Sequence, residues 1–193
     1  MKIPNARRRS FSVLNSKREY PHFNHSLVIA AAPARVLEAF FDPTALAVWW
    51  QTVRSVTTPR LFGAFAVEWE TTDFRDEILG ALGGAFHGTI VDYEAGHEFF
   101  VADAFWIPPE GDPIGPMALE VVCEPHPSKH PPAVSTLLRV SQRGYEEGER
   151  WSRYYDVIAS GWQHALETLK DYLEQDASDR QKVEARNRTL EST

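Results

Sequence analysis

WSRYYDVIASGWQHALETLKDYLE, residues 151–174, decides how the rest of the chain is read. Its apolar side chains, Trp151, Tyr154, Tyr155, Ile158, Trp162, Leu166, Leu169 and Leu173, recur three and four residues apart, the period of one helix face. Asp156, Gln163, Glu167, Lys170, Asp171 and Glu174 fall on the other side, so the stretch predicts a long amphipathic helix with one wet face. Glu146, Glu147 and Glu149 crowd its expected start, where unpaired amide groups and the helix dipole favour negative charge. Gly161 interrupts the stretch at a cost of roughly 1 kcal/mol against alanine, so a neighbour is expected to pack against the backbone there. An aromatic stripe this wide needs a broad apolar partner, and the preceding chain has the pattern of a sheet.

Upstream of the helix the dominant period is two. Phe65, Val67 and Trp69 alternate with Ala66, Glu68 and Glu70, and further strands are predicted at His87–Tyr93, His97–Trp106, Met117–Glu124 and Ser135–Tyr145. The Pro- and Gly-rich links PPEGDPIGP and PHPSKHPP read as hairpin loops, so successive strands pair antiparallel. Residues 71–85 are open between a turn-rich bulge and a short helix, because ILGALGG carries three glycines. Before the sheet, His25–Ala31 reads as a strand and PARVLEAFFDP as a helix with Val36, Leu37, Phe40 and Phe41 on one face, stopped by Pro43. A second short helix, Thr44–Trp50, ends in paired tryptophans. Two short helices, a run of strands and one long helix make the class α+β.

The 193 residues suit one domain with short extensions: a basic N-terminal extension (1–24), the domain (25–174) and a charged C-terminal tail (175–193). The net charge of −7 is uneven, because residues 1–25 hold six basic side chains and Glu19 as their one acid. The body is thus distinctly acidic, which argues against nucleic acid as a partner. No apolar run reaches membrane-spanning or signal-peptide length, and with Cys123 as the one cysteine no intrachain disulfide forms. A reducing cytoplasm is the expected location, with no membrane partner.

The opening VIAAAPARVLEAFFDPTALAVWW and the closing GWQHALETLKDYL resemble the START/Bet v 1-like (SRPBCC) superfamily and, more narrowly, the family named after the activator of Hsp90 ATPase. The resemblance covers about residues 25–174. It implies a helix-grip fold, in which a curved antiparallel sheet wraps the C-terminal helix and an apolar ligand cavity lies between them. It does not carry Hsp90 activation, because the co-chaperone contacts Hsp90 through a further N-terminal domain far larger than 24 residues.

Two sets of residues bear on chemistry. Cys123, His126 and His130 stand as C-x2-H-x3-H, half of a zinc pattern in a proline-rich loop without a second pair, so no metal is expected, and no redox cofactor either. Asp103 alternates in phase with Phe99, Val101 and Phe105: either it anchors a ligand inside the cavity, or a bulge turns it to water. The leading expectation is a non-catalytic binder of a small, mostly hydrophobic molecule. Its site would be formed by Trp49, Trp50, Val67, Trp69, Phe99, Val101, Asp103, Phe105 and Leu119 with Tyr154, Ile158 and Trp162. Two alternatives stand beside it: a cyclase- or hydrolase-type enzyme using Asp103 with His87 or His97, and a protein-interaction or co-chaperone-like module.

Overall fold

The computed structural model describes residues 22–127, 134–144 and 146–191, with side chains as far as residue 175. The greater part of the expected basic extension, residues 1–21, lies outside the described residues, as does His130. Seven strands form one antiparallel sheet, β1 (His22–Ile29), β2 (Arg54–Thr57), β3 (Ala64–Trp69), β6 (Gly84–Glu94), β7 (Glu98–Ile107), β8 (Ile114–Pro127) and β9 (Val134–Gly144), in the order β1-β9-β8-β7-β6-β3-β2. Two further strands, β4 (Arg75–Asp76) and β5 (Gly80–Ala81), pair only with each other. The helices are α1 (Pro33–Glu38), α2 (Pro43–Trp49) and α3 (Glu149–Glu191). This is the α+β helix-grip arrangement, with the first and last strands of the chain adjacent in the sheet and the long helix packed against β1.

Local chemistry accounts for most boundaries. Pro43 opens α2 rather than only closing α1: it occupies the first helical turn, where its missing N–H costs nothing, and the Asp42 carboxylate before it accepts from Thr44 N at 2.9 Å. β1 starts at His22, ahead of the expected His25, because Phe23 is a core residue whose ring lies 5.8 Å from Trp162 and 6.4 Å from Tyr155. α3 runs on past Glu174, since residues 175–191 contain neither proline nor glycine to break it. The grip is tied by polar bonds at several levels: His25 Nε2 meets the Ala159 carbonyl at 2.9 Å, and Ala30 N donates to Glu174 Oε1 at 2.9 Å.

The core fills one end of the concave face. Phe40 and Phe41, from the turn after α1, pack edge-on against Phe99 at 5.7 and 4.9 Å, and Phe65 meets the same ring at 5.3 Å. Cys123 lies in β8, fully buried, and burial pushes its thiol up to about 12. His126, three residues on, is exposed, so the start of the C-x2-H pattern does not converge on one point.

Candidate functional site

At the other end of the concave face the packing stops short. An open cleft of about 620 Å³ lies between α2, the C-terminal half of β3, residues 70–83 and the exposed flank of α3. That volume suits a small organic molecule. Its floor is a cluster of tryptophans. Trp50 stacks on Trp49 with ring planes 8° apart and centroids at 5.0 Å, meets Trp69 edge-on at 5.1 Å, and lies 4.5 Å from Trp162. Trp106 adds a wall against Tyr154 at 5.4 Å. Trp49, Trp106 and Trp162 are buried, whereas Trp50 and Trp69 are half-buried and face the open space.

Hydrogen bonds fix these rings. Trp49 Nε1 donates to Ala39 O at 2.9 Å, Trp69 Nε1 to Trp50 O at 2.9 Å and Trp106 Nε1 to Gly83 O at 2.8 Å. Beneath them the Gln142 side chain, from β9, is almost wholly buried. Its amide donates to Tyr154 Oη at 2.9 Å and its carbonyl accepts from Trp162 Nε1 at 3.3 Å. Burial pushes the Tyr154 phenol up, against the smaller opposing effect of the Gln142 hydrogen bond, so it stays protonated.

A flap, residues 70–83, closes one side. The ILGALGG stretch, open between bulge and helix in the sequence, is its turn and second strand, β5. Gly83 lies at φ 111, and a Cβ there would stand 2.2 Å from the Glu70 carbonyl, so the flap returns to the sheet only through glycine. The flap is pinned by Asp76, whose side chain is 2% exposed. One carboxylate oxygen accepts from Ile78 N and Leu79 N at 3.0 Å, the other from Arg153 Nε at 2.8 Å and Nη2 at 2.6 Å. Arg153 foremost, then the Leu79 amide, holds this carboxyl down at about 2. Leu79 and Leu82 are thereby presented to the cleft.

Of the expected site, Trp49, Trp50, Trp69, Tyr154, Ile158 and Trp162 come together at the cleft. Val67, Phe99, Val101 and Leu119 do not: each is at most 2% exposed and packed into closed core, at the end that α1 and α2 fill. Asp103 and Phe105 are turned away altogether. The pairing of β7 with β8 slips between Val101 and Ala104, Asp103 takes φ 47, and after this bulge Ala104 and Trp106 point inward. Asp103 is therefore exposed, and Phe105 lies on the outer face, 6.0 Å from the His87 ring. His87 is exposed on that face, and His97 stands at the β6–β7 turn with Glu94 and Glu98, their ligand atoms within 4.8 Å of one another. The acid and the two imidazoles of the enzyme alternative thus share no pocket. Gly161 also departs from expectation: nothing lies within 4 Å of a Cβ built on it, because it borders the cleft.

Trp106, Leu79, Leu82 and Gln142 were not part of the expected site. Gln142 had a signal, since Leu138, Val140 and Gln142 alternate on one face of β9 and a polar group in that phase must find a buried partner. Leu79 and Leu82 had none, because a flap of two-residue strands has no period.

The sequence model of the family described as Activator of Hsp90 ATPase homolog 1-like protein matches residues 30–174. Among solved structures, the chain is similar to protein MLL2253 from Mesorhizobium loti, with 18% identity, a TM-score of 0.58, and 80% of this chain and 97% of that one covered. It is similar to CV1439 from Chromobacterium violaceum, with 22% identity, a TM-score of 0.55 and the same coverage of 80% and 97%. A protein from Arthrobacter aurescens solved in solution has 17% identity and a TM-score of 0.58, with 81% and 88% covered. No curated protein matches the chain. At such identities the likeness is one of fold.

Proposed function

Because the chain belongs to the family of Activator of Hsp90 ATPase homolog 1-like proteins, we propose that it uses the helix-grip cleft to bind a small, mostly apolar molecule without transforming it. The observation that supports this is the 620 Å³ opening walled by the half-buried Trp50 and Trp69, with Ile158 and Leu82 across from them. Large apolar surface left open beside a closed core loses contacts that a ligand restores. The polar groups at the buried end of the cleft are already engaged. The Tyr154 phenol is neutral, the Gln142 amide beneath it bonds through both its ends, and the flap carboxylate Asp76 is committed to Arg153.

Titration with apolar and aromatic small molecules, followed by tryptophan fluorescence, is expected to give a saturable change for at least one compound. Trp50→Ala should weaken that compound about tenfold or more, since it removes both a contact face and the stack on Trp49. Saturation by none of a broad panel overturns the reading.

A further inference from the structure

The cleft presents aromatic faces and two carboxylates. Of the five indoles around it, those of Trp49, Trp69, Trp106 and Trp162 already spend their N–H groups on protein acceptors, so they offer a ligand their electron-rich faces. At the mouth stand Glu70 and Asp73, both exposed and neither paired with a described cation. The arginines of the flap and the helix are occupied: Arg75 by Glu110 at 2.5 Å and Arg153 by Asp76 at 2.6 Å. Among the described residues no arginine or lysine lines the cleft, and His164 is the one lining residue able to carry positive charge.

A neutral body seated here gains no charge pairing from the two exposed carboxylates, and an anion is repelled by them. A cation is paired by the carboxylates, and its charge lies favourably against indole faces. We propose that the ligand is an amphipathic amine: an apolar or ring-bearing body lying on Trp50 and Trp69, with a protonated nitrogen held at the mouth by Glu70 and Asp73. This rests on the cleft being a binding site. It adds the chemical class of what binds. The acidic net charge of −7 favours approach of the same class.

The test uses the full chain and three probes that share one body and differ only in head group, phenylbutylamine, phenylbutanol and phenylbutyrate, titrated near neutral pH by calorimetry and tryptophan fluorescence. The amine is expected to bind about tenfold more tightly than the alcohol, the carboxylate most weakly, and the amine's advantage should shrink in high salt. The double variant Glu70→Gln, Asp73→Asn changes only exposed side chains, so it folds. It should reduce the amine's advantage over the alcohol to about twofold or less. An alcohol or carboxylate that binds as tightly as the amine overturns the proposed class while the cleft reading stands. An amine advantage that survives the double variant overturns the role of the two carboxylates. Saturation by none of the three overturns the proposed class, and the broad panel then decides whether the cleft reading stands.

Discussion

Asp76 shows how one residue serves the site without touching a ligand. Its carboxyl is held down from 3.8 to about 2, first by the hydrogen bonds from Arg153 and then by the Leu79 amide. A group lowered in the folded state stabilises fully above its unfolded value and loses that contribution as the pH falls through its folded one. The tether is therefore complete above about pH 4 and fails towards about pH 2, the ordinary and the lowered values of this carboxyl. Asp76→Asn should lower the thermal midpoint at neutral pH, and the gap between wild type and variant should close across that window. A gap that ignores pH would mean that the charge does not hold the flap. Asp103 makes the opposite case: a carboxylate that alternation placed in the cavity stands in water at φ 47. Asp103→Asn should leave ligand affinity unchanged, while Asp103→Val should destabilise by about 1–2 kcal/mol in denaturant unfolding, because a β-branched residue resists that backbone conformation. Counting by twos reads a straight strand correctly, and one extra residue reverses everything after it.

At the scale of the element, α3 was legible because its period survives for six turns and its aromatics have nowhere else to go. What the period does not show is which part of the apolar stripe is covered. Trp162 is 3% exposed and joined to Gln142, so Trp162→Ala should cost about 3–5 kcal/mol in denaturant unfolding. A loss below about 1 kcal/mol would remove it from the core. One position earlier, Gly161 meets open space. Gly161→Ala should raise stability by up to about 1 kcal/mol, the helix-propensity difference, and its new methyl should weaken the bulkier cleft ligands. In the sequence, a glycine within a helix predicts close packing against the backbone. The fold supplied the other cause, a helix face bordering a cleft. The flap was the least legible element, since its order comes from Asp76 bonding to an arginine 77 residues away rather than from any local preference.

For the molecule as a whole, the two end stretches carried the reading of the fold, because the first strand, the proline-led helices and the last helix are the parts that the concave face of the sheet brings together. The middle strands were legible as strands, but which of their residues face a ligand depended on how far α1 and α2 fill the concave face, a packing outcome that no strand pattern encodes. The last described side chain that ties α3 to the sheet is Glu174, through Ala30. A chain trimmed to residues 22–175 is therefore expected to melt within a few degrees of the full one, measured by circular dichroism, and a larger drop would show that a removed end supports the core. Cys123 sits where that core is closed on every side, in a strand flanked by β7 and β9, with its thiol at about 12. In the native state it is neither ionised nor reachable, so it reacts only in the instants when β8 leaves the sheet. The single thiol is thus an internal gauge: the rate at which a thiol reagent consumes it, divided by the rate for an unfolded chain, gives the share of time that the strand spends open.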